Sequence, residues 1–545
     1  MTVKPQTAVA KQQSSPEVAQ KLLEIERQLI RKNQFVPALQ ALTQLLPDNL
    51  GDAQVWMLVG LVYTRIAHWQ HAISALETAG NLDPENYQVK HLLSLALFSI
   101  GRKKEACELI DEVAKSPAAD NAQWLLRAYI FGHYYNNPEI ALKAARDWGE
   151  RFADPVTKKA KKLYIKDKRK NKKLKIGYVS GDLREHSVAF FMLPVFENHD
   201  KDLFDIFVYS NSNEDAFSEE IKKHVPNWRN VVDLNDDQLY SQIRRDEIDI
   251  LVDLSGYTHG QRLMVFARRA APVQVTWLGY LMPLGMQAMD YRIASKSLAP
   301  IEHAAYYSEK LVNMSGSACY IPPAYAPLCT DLPLRRNGYP TLISLNSSGK
   351  ITDEIMLIWS KILHKYENAR LIIVVKEVDA ELASVHMQPR VEKCGMPLDR
   401  VFVLPQLPLR NFMELGHIAD VALDTSPISG GTTTLHTVWM GLPIVTMQAD
   451  RGVDACTARM LSGKLKGCGE IANSAEEYID AVGKLIQDEE RLLKLRKVNR
   501  EILQTTSIMN YGRVTRNIEK AFKCMWSNFL DGKTEYIDIN KFQVK

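Results

Sequence analysis

The sequence predicts an α/β protein: two Rossmann-like domains in series behind an all-α region of tetratricopeptide-like repeats. Three observations carry that prediction. Small and apolar residues recur every 34 positions between about 17 and 150. After Leu174 the helical period gives way to short apolar runs separated by amphipathic stretches. A proline-rich stretch, 322–340, then divides this first series of strands from a second.

Residues 1–16, rich in Thr, Gln, Ser and Pro, read as a disordered tail. The repeats follow over 17–152. Ala38, Ala72 and Ala106 lie 34 residues apart, as do Leu42, Leu76 and Ile110. In the middle unit Trp56, Gly60, Tyr63, Ala72, Ala79 and Pro84 fall at tetratricopeptide offsets. Small residues let paired helices approach, and larger ones fill the gap between units. Three units are read, with helices after Asn121 extending the stack. The segment 153–174 is strongly basic and reads as a solvated linker helix. Contact with an anionic membrane surface or an acidic partner is its sharper alternative.

Strands of the first domain, 175–325, are expected at 175–180, 205–209, 248–254, 273–278 and 291–294. Those of the second, 326–475, are expected at 341–345, 370–375, Val401–Leu404, Val421–Leu423 and 443–447. Strands alternating with helices indicate parallel sheets covered on both faces. Ligands of such domains bind beyond the carboxyl ends of the strands. Residues 476–545 read as helices and a tail, with a helical run, 475–530, strapping the domains.

Composition sets limits. The 545 residues are 46% hydrophobic and 24% charged, as in ordinary globular domains. A net charge of +4 is too small to argue for nucleic acid as a partner. Seven scattered cysteines, none at metal-ligand spacing, fit a reducing cytoplasm. No signal-type apolar run opens the chain, and none is long enough to span a bilayer.

Several polar groups fall just past expected strand ends. Ser426-Pro427-Ile428-Ser429-Gly430-Gly431-Thr432-Thr433-Thr434 follows Val421–Leu423 and Asp424 and opens an apolar helix. Two glycines permit close backbone approach, and three threonines offer hydroxyls and N–H groups to a phosphate. His186 opens another apolar helix after the first strand. Tyr257 and His259 follow the third, and Leu278, Gly279 and Tyr280 the fourth, as cleft-lining candidates. Asn346 ends the Thr341 strand and Lys350 is expected at a helix start, suiting a diphosphate leaving group. Gln406 falls past the Val401 strand, and His436 on the helix after the Gly-Thr loop.

The region from Lys175 to Phe529 resembles the O-GlcNAc transferases and their SPINDLY-like and bacterial relatives, glycosyltransferase family 41. Ordered motifs carry the resemblance. They include Ile176-Gly177-Tyr178-Val179-Ser180 with His186, Ile250-Leu251-Val252-Asp253-Leu254-Ser255-Gly256-Tyr257-Thr258, and Ala271-Pro272-Val273-Gln274-Val275-Thr276-Trp277-Leu278-Gly279-Tyr280. Lys350, Gly430-Gly431-Thr432-Thr433 and Trp439-Met440-Gly441-Leu442-Pro443 follow in order.

The resemblance implies a GT-B fold and an inverting, metal-independent glycosyltransferase that needs no cofactor besides its nucleotide-sugar donor. A sugar, GlcNAc from UDP-GlcNAc first, would pass to Ser or Thr of a protein acceptor held by the repeats. Lys350 matches the family lysine on the donor diphosphate, Gly430 to Thr433 its phosphate loop, and His186 its active-site histidine. Departures occur at 281–285, where a Pro-Gly-Thr-Ser-Gly turn has become Leu281-Met282-Pro283-Leu284-Gly285, at Gly431 in place of a histidine, at His436 in place of an acid, and at Phe412 in place of a histidine. They keep open other donors (UDP-glucose to Asn, GDP-fucose, a flagellin sugar) and an inactive repeat-based scaffold.

Overall fold

The computed structural model describes residues 13–161, 163–451 and 453–541. The part of the expected tail at 1–12, and Lys162 of the basic segment, lie outside the described residues. From Ser14 the chain is already in place: Ser14 Oγ donates to Asp52 Oδ2 at 2.5 Å, and the Ser15 side chain caps the first helix.

Eight helices form the repeat region. They are α1 Pro16–Ile25, α2 Phe35–Leu45, α3 Ala53–Arg65, α4 Trp69–Leu82, α5 Tyr87–Ser99, α6 Lys103–Lys115, α7 Asn121–Tyr134 and α8 Pro138–Trp148. All six residues of the 34-residue spacing, Ala38, Leu42, Ala72, Leu76, Ala106 and Ile110, are 0% exposed. The period therefore reports burial. At Gly60 a Cβ would lie 2.5 Å from Leu76 Cγ, so the approach of α3 to α4 needs a glycine.

The basic segment is not a linker helix. Helix ends at Lys158, and the described residues from there to Leu174 form a non-helical strap. Its cations bond acids distant in sequence: Lys166 to Glu247, Lys170 to Asp531 at 2.9 Å and Lys172 to Asp249 at 2.6 Å. Lys172 Nζ also sits 4.9 Å from the Trp526 ring centroid, and Trp526 Nε1 donates to Arg169 O. Tertiary ion pairs and a cation–π contact override the local helical preference.

Both sheets are parallel. The first contains β1 Leu174–Ser180, β2 Phe204–Ser210, β3 Asn227–Asn230, β4 Ile250–Asp253, β5 Val273–Thr276, β6 Tyr291–Ser295 and β7 Lys310–Met314. The second contains β8 Thr341–Ser344, β9 Arg370–Val374, β10 Val401–Leu404, β11 Val421–Leu423, β12 Ile444–Met447 and β13 Gly469–Ala472. A last strand, β14 Ile537–Asp538, returns to the edge of the first. Strand orders are β14-β7-β6-β5-β4-β1-β2-β3 and β10-β9-β8-β11-β12-β13. Connections leave β1 and β4 in opposite directions, which opens a crevice at their carboxyl ends. The carboxy-terminal helix Tyr511–Leu530 packs Phe522, Met525 and Trp526 into the core of the first sheet.

Two compact units result. One holds the chain up to Ile130 together with Ile343–Leu409; the other holds Phe131–Leu342 together with the chain from Arg410 on. In the first unit the repeats are fastened to the second α/β series. Glu377 Oε2 accepts Trp69 N at 2.9 Å at the start of α4, and Trp69 Nε1 donates to Lys376 O. No helix among the described residues is long and apolar enough to cross a membrane.

Candidate active site

Within the second unit, glycines draw the loops after β1, β4 and β5 together. A Cβ on Gly181 would lie 2.7 Å from His259 O, and one on Gly279 would lie 1.9 Å from Leu254 O. Gly181 N donates to Ser255 Oγ, and buried Asp253 ties the base of the β4 loop by accepting Ser255 N, Gly256 N and Thr276 Oγ1. Leu278, at φ 64, holds a left-handed conformation, the strained backbone that persists where surroundings over-determine it.

His186 is the N-cap of helix Ser187–Asn198. Its Nδ1 accepts the Val188 N–H at 3.3 Å, which places the neutral ring's proton on Nε2. Asp182 Oδ1 lies 3.6 Å from the same Nδ1. Asp182 is 6% exposed, and burial pushes its carboxyl up to about 6 against the pull of Arg184 and His259. Asp182 was not among the residues singled out from sequence. Its position beside His186 depends on the close contact of Gly181 with the β4 loop, which no local pattern announces.

Tyr257 and Tyr280 are both 4% exposed. The Tyr257 hydroxyl donates to Leu284 O at 2.6 Å, and Trp148 meets its ring edge-on, so Tyr257 acts as core beneath the loop. Tyr280 lies against the last turn of α7, where a Cβ on Gly132 would fall 2.8 Å from its hydroxyl. His259 is exposed at the rim.

The Gly-Thr loop is held from below by the buried carboxylate of Asp424 and the backbone carbonyl of buried Asp454. Asp424 Oδ1 accepts Thr425 N and Gly430 N, each at 2.9 Å, and its Oδ2 accepts Thr446 Oγ1. The carbonyl of Asp454 accepts Ser429 N and Ser429 Oγ, while its carboxylate pairs with buried Arg451, which also donates to Gly132 O of α7. Two of the three threonines, Thr432 and Thr433, stay half-exposed. Thr434 is buried and shares its hydroxyl with Thr457, which corrects the expectation that all three face a ligand. Gly431 caps helix Thr432–Trp439 without any side-chain oxygen, and a Cβ built there meets nothing within 4 Å. The first turn of this helix therefore starts without a side-chain acceptor at its cap.

His436 is 6% exposed within an aromatic box of Phe190, Phe412 and Tyr320. Its Nδ1 lies 2.6 Å from the Tyr320 hydroxyl. Burial pushes the imidazole down to about 4 and the phenol well up, so a neutral ring accepts the phenol's proton. Phe190 stands four residues after His186, and His436 four residues after Thr432. Their ring contact at 5.6 Å brings the two helices together one turn from their starts.

Asn346, Lys350 and Gln406 belong to the first unit, beyond the carboxyl ends of β8 and β10. Asn346 is buried and Gln406 exposed, its N–H donating to Glu377 O at 2.7 Å. Lys350 is half-buried in a single 3₁₀ turn, Ser348–Lys350, rather than at the expected helix start. Thr352 caps the helix instead, so it begins at Asp353. The turn is clamped: Arg390 Nη2 donates to Ile351 O, and a Cβ on Gly101, between α5 and α6, would sit 2.8 Å from Ser348 O.

Comparison with known proteins agrees with this architecture. The profile of Glycosyl transferase family 41 matches residues 140–321 and 341–518. An O-GlcNAc transferase mutant of Thermobaculum terrenum superposes with a TM-score of 0.86 at 30% identity, covering 95% of this chain and 99% of that one. The fold is thus GT-B, behind a helical repeat region. A probable UDP-N-acetylglucosamine–peptide N-acetylglucosaminyltransferase SPINDLY of Solanum lycopersicum is 32% identical over 72% of this chain. The probable enzyme of the same description named SEC, from Arabidopsis thaliana, is 27% identical over 73%. The chain spans 42% of the length of each of these two relatives.

Proposed function

The chain belongs to glycosyl transferase family 41, and from that premise we propose that it moves N-acetylglucosamine from UDP-N-acetylglucosamine onto Ser or Thr of protein acceptors. Transfer proceeds with inversion and without a metal. The observation that carries this reading is the helix start at Gly431, which has no side-chain cap, open space where a Cβ would stand and half-exposed Thr432 and Thr433 in its first turn. Such a start stabilises a departing diphosphate without a cation. The family resemblance adds Lys350 as the residue for the diphosphate charge and Asn346, Gln406, Gly430 and His436 as donor-binding candidates.

In the reaction, the acceptor oxygen bonds to the anomeric carbon as the carbon–oxygen bond to the diphosphate breaks, and the acceptor proton leaves. With Nδ1 held by the Val188 N–H, His186 offers Nε2–H and orients rather than deprotonates. Asp182, titrating at about 6, is suited to take the proton near neutrality. The tetratricopeptide-like region holds the acceptor. Six of the seven free cysteines are buried thiols, in keeping with action in a reducing cytoplasm.

Purified protein tests this with UDP-GlcNAc, UDP-glucose and GDP-fucose, following donor hydrolysis and transfer to serine peptides. UDP-GlcNAc turnover is expected to survive EDTA, to give a β-linked product by NMR, and to fall about 100-fold or more in Lys350→Ala. Absence of turnover with every donor, or an unaffected Lys350→Ala, refutes the proposal.

A further inference from the structure

A cavity of about 410 Å³ in the second unit lies outside the residues assigned above to donor or chemistry. Its floor is Met282 and Pro283, both buried, from the loop after Tyr280. Tyr306 and Leu298 form an apolar wall, and Glu139 of α8 and Asp450 stand exposed at the rim. The lining includes a single Lys or Arg, Arg451, and its charge is spent on Asp454 and Gly132 O. Neither Glu139 nor Asp450 has an ion-pair partner among the described residues. The cavity thus joins an apolar, aromatic interior, whose lining also includes His303, to a rim with two carboxylates that have no ion-pair partner among the described residues.

We propose that this cavity is an acceptor subsite that takes a lysine or arginine side chain flanking the modified Ser or Thr. A long cationic side chain is amphipathic: its methylene stem suits Met282, Pro283 and Leu298, and its head suits two carboxylates beside an aromatic ring. A neutral apolar side chain would leave both rim charges unanswered, and an acidic one would be repelled by them. The location supports an acceptor role. Arg451 lines the cavity, and its ion-pair partner Asp454 holds Ser429 next to Gly430. One buried ion pair therefore separates this wall from the Gly-Thr loop. The subsite rests on the glycosyltransferase reading and names the acceptor chemistry that reading leaves open.

The test uses the full chain and a set of serine peptides in which a lysine is walked along both flanks, each compared with alanine, leucine and glutamate at the same place. At one register lysine or arginine is expected to raise kcat/KM about three- to tenfold over alanine, mainly through KM, as two partly exposed ion pairs allow. Glu139→Lys with Asp450→Lys should move that preference to glutamate at the same register. Both side chains are exposed, and thermal unfolding checks that the variant folds. Fluorescence anisotropy of labelled peptides reads the same preference without catalysis. A flat profile, or a leucine preference that ignores charge reversal, overturns the subsite. Hydrolysis of UDP-GlcNAc by the wild-type protein without peptide reports on the donor reading alone: lost hydrolysis with charge-selective peptide binding sinks that reading, whereas hydrolysis with a flat profile sinks only the subsite.

Discussion

The helix that starts after His186 and the helix that starts at Thr432 occupy equivalent places in two Rossmann-like halves, each following a parallel strand. They meet one turn in, at Phe190 and His436. Their starts are built oppositely. The first is capped by a side chain, the imidazole Nδ1 accepting the Val188 N–H. The second has only Gly431 at the cap and presents backbone N–H groups. Support differs as well. The Gly-Thr loop stands on the satisfied buried carboxylate of Asp424 and the carbonyl of Asp454, whereas the His186 loop carries a buried carboxylate with a raised pKa. On the proposed function, one start would hold an anion passively and the other would handle a proton.

The largest effect should come from removing the passive support. Asp424→Ala strands Gly430 N, Thr425 N and Thr446 Oγ1 without their acceptor in a site 1% exposed. Thermal unfolding should show a loss of about 3–5 kcal/mol, with donor binding gone. A loss below about 1 kcal/mol would mean that the loop does not depend on this carboxylate.

Asp182→Asn should act in the opposite direction. The folded carboxyl titrates at about 6 against an ordinary 3.8, so between those values the native state binds more protons than the unfolded chain. Stability therefore falls as pH rises through that window, by roughly 3 kcal/mol in total, and the cost is carried in full above pH 6. A neutral asparagine amide at this position carries no such cost. The variant should be more stable than wild type at pH 8, match it below pH 4, and lose the rise in transfer rate through pH 6. Wild type and variant with parallel stability–pH curves would refute the raised carboxyl.

Glycines sharpen the contrast. Gly181→Ala forces a Cβ to 2.7 Å from His259 O and should cost about 1–3 kcal/mol. Gly431→Ala meets open space at φ −129 and should move stability by no more than about 0.5 kcal/mol. Its methyl should instead weaken donor binding, read by titration with UDP. Equal stability losses in the two variants would erase the distinction.

What could be read from sequence follows the range of the forces involved. Ala38, Ala72 and Ala106 were legible because a helical repeat imposes burial locally at a fixed period. The strands after Leu174 were legible because buried parallel strands must be apolar. Asp182 and Asp454 were not, since each acquires its meaning from a partner placed by a close backbone contact or a turn. Glu377 caps α4 through Trp69, 308 residues away, and nothing in either neighbourhood says so. The basic strap failed as a helix for the same reason: Lys172 answers to Asp249 and Trp526, not to its neighbours. Lys350 missed its helix because Thr352 is a better cap than a glycine–lysine turn.

The smallest effect separates the two duties of His186. As a cap, it needs only an acceptor for the Val188 N–H. Serine supplies one, so His186→Ser should hold stability within a few tenths of a kcal/mol, while His186→Ala should lose about 1 kcal/mol. As the group that orients the acceptor hydroxyl, it needs Nε2–H at the far edge of a ring anchored through Nδ1, which neither serine nor alanine provides. Both variants should therefore lose transfer alike, by about 100-fold or more, despite different stabilities. If activity instead tracks stability, with serine near wild type and alanine impaired, the histidine serves only as a cap. Both helix starts would then be backbone devices, and the proton chemistry would rest on Asp182 alone.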